Sequence, residues 1–546
     1  MGLKGPQTEP RMTLPHSVAT VLKEHVGLEV ESIDRMYLNV YVPPLQSEGG
    51  VACFFRRHRG QKVASAALMA PITHRFVARI ERFVKDHGIP VVSFERGQRK
   101  DDIAAQHRSR FQQPEGVVFV GKAQEKTPVF RTVKRRNPQT GGTYAWLVRS
   151  TAMVNHYYFY CLDHDFGPFF LKFCSYFPYN AKLCLNGHEY VKCQLQQEGV
   201  AYEALDNGIL SCADPERLQA LCDGLSAAKI DALLRKWLRR LPHPFTGGDR
   251  QAGYRYDLSI LQAEFSLTQV LDRAVSGRIF FEEVIRENLD LGRPQHVQLI
   301  FNRRVTQATP SRFRTRVITQ GVIPSLYVDY KSSRIKQYHK EGRALRTEIT
   351  MNNTRDFYIG KRLPNLPALR EVGFQANRRL LEVQKVSHDC VLAEAAFQRV
   401  NRPLQVNQQR ASALPFGDPQ VQALWSALVS FCFLPAGFRN RDLREQWAPL
   451  IGQNSDQVTP GRMTYNLRRL RLHGMIERLP KSHRYRLTDH GLRTALFFTR
   501  LYARVLRPGL GCLLPKISVP HDALRRCFNK LEQEITARID QAKLAA

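Results

Sequence analysis

The stretch Thr459–Arg486, TPGRMTYNLRRLRLHGMIERLPKSHRYR, carries eight Lys/Arg against one Glu. It reads as a helix followed by a basic hairpin. Thr459 suits a helix N-cap and Pro460 the first helical position. Met463, Leu467 and Leu470 recur at helical spacing and make one apolar stripe. Arg462, Asn466 and Arg469 share that spacing on an adjacent face, and Tyr465 and Arg468 lie further round. Gly474 suits a left-handed helix end. Met475–Leu479 and Arg484–Leu487 read as two short strands, with Pro480–His483 as the turn between them.

Working outward, Gln420–Leu434 and Arg439–Ile451 supply two preceding helices, and Thr488–Arg507 a closing one. In that order the elements of about 418–507 resemble a winged-helix DNA-binding domain. The resemblance covers roughly 90 of the 546 residues. It implies a recognition helix around Arg462–Arg471 in the major groove and a wing tip at Lys481–Arg484. Arg462, Tyr465, Asn466, Arg468 and Arg469 would then face the groove, with Asn466 reading adenine and Arg462 or Arg469 guanine. Lys481, His483 and Arg484 would meet phosphates. A winged helix that makes only protein contacts is the alternative.

Composition points the same way. The net charge of +32 repels itself and calls for a polyanion. Hydrophobic residues make up 43%, enough for a large core. No run of 18 apolar residues and no apolar leader occur, so a membrane partner and export are not expected. The 11 cysteines are scattered with no C-x-x-C pair, which suits a reducing cytoplasm and neither a zinc finger nor a disulfide framework.

The sequence suggests a multidomain α/β and α+β chain. Residues 1–48 form an N-terminal segment. Residues 49–150 read as an α/β domain, with strands at Val51–Phe55, Ile89–Phe94 and Gly116–Val120 and helices at Pro71–His87 and Asp101–Phe111. Residues 151–400 read as a central α+β domain. There Tyr157–Leu162 and Phe169–Phe177 are adjacent aromatic strands. Leu218–Leu241, Leu258–Leu271, Arg278–Asn288 and Pro367–Val386 read as helices. Val297–Phe301, Arg314–Thr319, Ser325–Tyr330 and Leu345–Met351 read as an antiparallel sheet. Thr127–Thr143 is basic and turn-rich. Residues 401–417 read as a linker, 418–510 as the winged-helix domain and 511–546 as a C-terminal helix. No internal repeat is visible.

Three segments could carry chemistry. Asp163 and Asp165, two apart, could point to one strand face and hold Mg²⁺ with His188 and Glu348. Alternatively, Asp163 closes a polar hairpin turn. Between Tyr327 and Glu348, the cations Lys331, Arg334, Lys336 and Lys340 on a β-ribbon could track a phosphate backbone, while Tyr330 and Tyr338 stack single-stranded bases. That segment faintly resembles the core of rolling-circle replication initiators. The resemblance implies Tyr330 or Tyr338 as a nucleophile on DNA phosphate and Glu348 as a metal ligand. The family's paired histidines are missing. Finally, Arg96, Arg99 and Lys100 follow a strand and could hold a phosphate, or simply form a salt-linked loop.

Three functions follow as expectations. The first is a DNA-binding protein of a mobile element or replication system, engaging double-stranded DNA at its C-terminus and, in its centre, open to single-stranded DNA or RNA. The second is a metal-dependent nuclease or strand-transfer enzyme. The third is a transcription regulator.

Overall fold

A computed structural model of the chain describes residues 18–273 except 96 and 137, 276–277, 280, 314–320, 323–388, 394–430, 437–502 except 481, and 506, 530–531 and 533–534. Its centre is an eleven-stranded sheet. In chain order the strands are β1 (Val26–Tyr41), β2 (Val91–Ser93), β3 (Gly116–Arg136), β4 (Thr143–Asp163), β5 (Gly167–Cys174) and β6 (Ala181–Asn186). A separate hairpin, β7 (Tyr202–Leu205) and β8 (Gly208–Cys212), follows. The sheet resumes with β9 (Asp257–Leu271), β10 (Arg314–Gln320), β11 (Ile323–Tyr330), β12 (Ser333–Lys340) and β13 (Ala344–Met351). The spatial order is β10-β11-β12-β13-β9-β1-β6-β5-β4-β3-β2. Among the described strands only β2 and β3 pair in parallel, joined by the helix Lys100–Ser109.

This order contains a repeat that the residues do not display. β1 precedes the meander β3–β4–β5–β6 and pairs with its last strand. β9 precedes the meander β10–β11–β12–β13 and likewise pairs with its last strand. β1 and β9 pair antiparallel where the halves meet. A helix follows each meander: Gly187–Gln197 after β6 and Leu366–His388 after β13.

Alternation along the strands gives the sheet two unlike faces. Met36, Leu38 and Val40 of β1, Leu171 and Phe173 of β5, and Ala263 and Phe265 of β9 are buried on one face. Helices cover it. Phe374 of Leu366–His388 meets Phe265 edge-on at 5.7 Å. Phe76 of Ala70–Asp86 meets Phe173 at 5.9 Å, and Trp237 of Ala227–Arg240 meets Phe169 at 5.1 Å. The intervening residues Arg35, Tyr37, Asn39 and Tyr41 of β1, with Phe170, Lys172 and Lys182, are only partly buried. The second face is therefore polar, cationic and aromatic.

The C-terminal unit contains the helices Pro419–Ser430, Asn440–Leu450, Pro460–Leu472 and Asp489–Leu501. Its small sheet joins β16 (Phe438–Arg439), β18 (Arg484–Leu487) and β17 (Ile476–Arg478). The Thr459 hydroxyl accepts from the Arg462 amide at 3.2 Å, capping its helix. Met463, Leu467 and Leu470 are buried as one stripe, and Gly474 takes φ +75°.

Several elements differ from expectation. Val51–Phe55 is helical, not a strand: helix Glu48–Cys53 runs on into Phe54–His58. Leu258–Leu271 is strand β9, not a helix. Its apolar residues fit both periods, and pairing with β1 and β13 on either side selects the extended form. Thr127–Thr143 belongs mostly to the arms of the β3–β4 hairpin. The boundaries expected at 48 and 150 divide one sheet, since β1 lies at its centre and β4 crosses 150. Residues 401–417 carry a hairpin, β14 (Leu404–Val406) and β15 (Gln409–Ala411), and Leu414 is buried. Most of Arg278–Asn288, all of Val297–Phe301 and most of 511–546 lie outside the described residues.

Gly187 locks the Gly187–Gln197 helix against β1. A Cβ there would sit 2.1 Å from the Ile33 carbonyl oxygen, a backbone atom that cannot step aside. Gly187→Ala is therefore expected to cost about 1–3 kcal/mol, read as a lowered midpoint in denaturant unfolding.

Candidate nucleic-acid interface

On the Pro460–Leu472 helix the expected groove residues divide. Asn466 is buried and accepts from Arg469 Nη1 at 3.2 Å. Arg469 Nη2 donates to the Ala413 carbonyl, and burial pulls the guanidinium below its ordinary pKa. Arg462 donates to Gln453 and Gln420 at 3.2 Å each and lies 4.9 Å over the Trp447 ring. The base-reading roles expected of Arg462, Asn466 and Arg469 are thus corrected. Their row borders the apolar stripe, and residues from other elements close over it. Tyr465 is 50% exposed, with its hydroxyl 2.7 Å from Ser412 Oγ.

Arg468 and Arg471 are exposed and make no hydrogen bond or ion pair among the described residues. Arg471 was passed over in the sequence, yet Thr464, Arg468 and Arg471 stand at i, i+4 and i+7, the row facing away from the stripe. At the hairpin, His483 is exposed, with Arg478 Nη2 3.4 Å from its Nδ1. Arg484 instead lies 3.7 Å over the Tyr358 ring. Lys481 lies outside the described residues.

Tyr358 gathers three cations. Arg439 stands 4.6 Å from its ring and the Lys331 ammonium 5.4 Å. Its hydroxyl donates to Asp442 at 2.7 Å, and burial followed by that carboxylate pushes its pKa up to about 12. Arg439 and Arg484 therefore help to join the large sheet to the C-terminal unit, while Lys331 packs on the same ring from the sheet side.

The ribbon at 327–348 forms as β11, β12 and β13, but its side chains are engaged. Arg334 pairs with Asp329 at 2.7 Å. Lys336 sits 3.9 Å over Tyr338, and Lys340 lies 3.6 Å from Glu341 with its side chain 11% exposed. The expected phosphate track along these lysines is thus largely occupied. The Tyr338 hydroxyl donates to Glu348 at 3.3 Å, and burial and Glu348 together raise its pKa, so it stays protonated. That environment opposes a nucleophilic role. Tyr330 pairs with Ser333 in the ladder, and its side chain lies outside the described residues.

The expected metal quartet does not assemble. Asp163 closes the β4–β5 turn, accepting from the Asp165 and Phe166 amides at 3.0 and 3.2 Å. Its second oxygen accepts from Lys236 and Trp237 at 2.7 Å each. Asp165 is exposed and pairs with His164 at 2.9 Å. His188 and Glu348 do meet, but around a guanidinium. Arg346, fully buried, donates to Asp34 at 2.5 Å and to His188 Nε2 at 2.7 Å, with its Nε 3.3 Å from Glu348. Arg346 holds the place a metal cation would need. Burial and Arg346 bring His188 down to about 3, so it is neutral and accepts. Among the described residues no three His, Cys, Asp or Glu side chains are grouped to hold a metal ion.

Asp34, Arg346 and nearby Glu264 were missed in the sequence. Arg346 and Glu348 stand two apart in β13, while Asp34 lies in a strand with Glu29, Glu31 and Arg35 and carries no signal that sets it apart. No family model, curated protein or solved structure matches this chain. Among the described residues no helix is long and apolar enough to cross a membrane.

Glu264 makes this cluster measurable. Burial, then the charges of Asp34 and Glu348, push its pKa up to about 7 from 4.5. The folded state then binds the proton more tightly than the unfolded one, so this group's contribution to stability falls as pH rises from 4.5 to about 7. His188 acts in the opposite sense below its unfolded pKa, so the informative quantity is a difference. The stability of Glu264→Gln relative to the wild type is expected to grow through that window, at no more than about 1.4 kcal/mol per pH unit, and then level off. Urea unfolding across the pH range reads it.

Proposed function

We propose that this chain is a nucleic-acid-binding protein whose 418–502 unit is a winged helix that engages double-stranded DNA. The order of helices and hairpin supports this reading. The observation that carries it is the outward row of the Pro460–Leu472 helix, where Arg468 and Arg471 are exposed and unpaired among the described residues beside half-exposed Tyr465. Arginines with no partner among the described residues, on a chain of net charge +32, suit phosphate contacts. In this reading Thr464, Tyr465, Arg468 and Arg471 meet the duplex and His483 the flanking backbone. Arg462, Asn466 and Arg469 hold the helix in place. A replication or mobile-element system is the setting that a basic chain with so large a body suits best.

Fluorescence anisotropy with duplex DNA across a salt series tests the proposal. Arg468→Ala and Arg471→Ala should each weaken binding to all sequences alike and reduce the salt slope by about 1. Absence of duplex binding at low ionic strength, or slopes unchanged in both variants, would refute it.

A further inference from the structure

The polar face of the first sheet half has no assigned role, and its residues fall into two parallel rows. The first runs Tyr37, Cys184, Phe170, Tyr160, Phe119 across β1, β6, β5, β4 and β3. The second, two residues along each of the five strands, runs Asn39, Lys182, Lys172, Tyr158, Gly121. Two residues of strand separate the rows by about 7 Å.

The rows differ in chemistry. The aromatic row opens into a cavity of about 340 Å³ beneath the Lys100–Ser109 helix, with Arg35 and Asp101 at its polar edge. Phe119 and Tyr160 stack there at 4.4 Å, and Phe170 lies 5.2 Å from Tyr160. The lysine row opens into a neighbouring groove of about 470 Å³ lined by Lys172, Lys182, His156, Asn39 and Glu125. Glu125 is the one carboxylate in that lining. It accepts from Lys172 and Tyr158, and Lys100 approaches it to 3.8 Å. Burial would raise its pKa, but those bonds hold it at about 2, so it is ionised. Lys182 is left over. It makes no hydrogen bond or ion pair among the described residues, and burial together with Lys172 lowers its pKa. Such a surplus of ammonium groups in a partly closed groove is stabilised by an anion.

The aromatic cavity holds both signs of charge and suits a neutral, flat, polar-edged group. The groove beside it suits an anion, about one nucleotide's reach away. We infer that this face binds a nucleoside monophosphate unit, its base in the cavity bounded by Tyr37, Tyr160 and Phe170 and its phosphate between Lys172 and Lys182. The unit would belong to a single-stranded nucleic acid lying across the sheet. This site is separate from the C-terminal helix and does not depend on the duplex reading.

The test uses the full chain with labelled oligothymidylate and, in parallel, labelled duplex. Lys182→Glu should weaken single-strand binding about tenfold or more while leaving duplex affinity unchanged. Tyr160→Leu should weaken it at least about fivefold, the lower end of one lost base stack. Lys182→Arg should retain binding. Because Lys182 has no hydrogen-bond or ion-pair partner to lose among the described residues, Lys182→Glu should keep the wild-type unfolding midpoint. Competition with thymidine monophosphate separates the two sources of this chemistry. Displacement by the free nucleotide would make the site a mononucleotide pocket, and displacement only by unlabelled strand would make it a strand platform. Either result upholds the site. It is overturned if neither probe binds, if Lys182→Glu leaves strand affinity unchanged, or if duplex affinity falls in parallel. Arg468→Ala, which should affect only the duplex, reports on the other reading independently.

Discussion

The antiparallel pairing of β1 with β9 is the join on which the rest of the architecture depends. It runs from Val26–Leu271 to Tyr41–Asp257 and, among the described residues, is the only strand pairing between the two sheet halves. A register shift between Ile33 and Met36 interrupts it, and Asp34 sits in that irregular stretch. There Asp34 accepts from Arg346 of β13 and from Asn207 at the β7–β8 turn, and Arg346 also reaches His188. Residues 312 positions apart thus meet at one buried guanidinium. Desolvating these charges is costly, and the arrangement is tolerable because most of the donors find acceptors. Removing one member would strand the others, so the cluster also fixes how β13 and the helix after β6 sit against the central pair.

From that join the two faces follow. One face is covered by helices packing Phe76, Trp237 and Phe374 against strand aromatics. The other cannot be sealed in the same way, because Lys172, Lys182 and Arg35 alternate with Leu171, Leu183 and Met36 along the same strands. Exposure of basic and aromatic side chains on one side is thus a consequence of period-two patterning. The chain spends its apolar residues on one face and its cations on the other.

What the sequence made legible was local. The segment 459–487 could be read because a cap, a helical stripe and a glycine all act within a few residues. The side-chain roles there were not legible. Whether Arg462 or Arg469 faces solvent depends on Trp447 and Ala413, which arrive from other elements. The hairpin role of Asp163 was one of two readings, and its neighbours Lys236 and Trp237 decided it. His188 and Glu348, expected as metal ligands with Asp163 and Asp165, instead each contact Arg346, which makes that place a salt-bridged core. The doubled topology left no trace in residue identities, since pairing needs only alternation and not a particular side chain.

The same logic separates anchoring cations from available ones. Arg439 and Arg484 of the C-terminal unit and Lys331 of the β11–β12 turn converge on Tyr358, whose hydroxyl is held by Asp442. A cation over an aromatic ring gains about 0.5–1 kcal/mol at an exposed site and more when desolvated. Moving Arg484 to a phosphate would forfeit that contact and loosen the tie between the small unit and the large sheet. Arg468 and Arg471 give up nothing comparable, and neither does Lys182. A polyanion approaching this chain therefore gains most where the positive charge has no partner to lose among the described residues: the outward row of one helix and Lys182 in the groove of one sheet half.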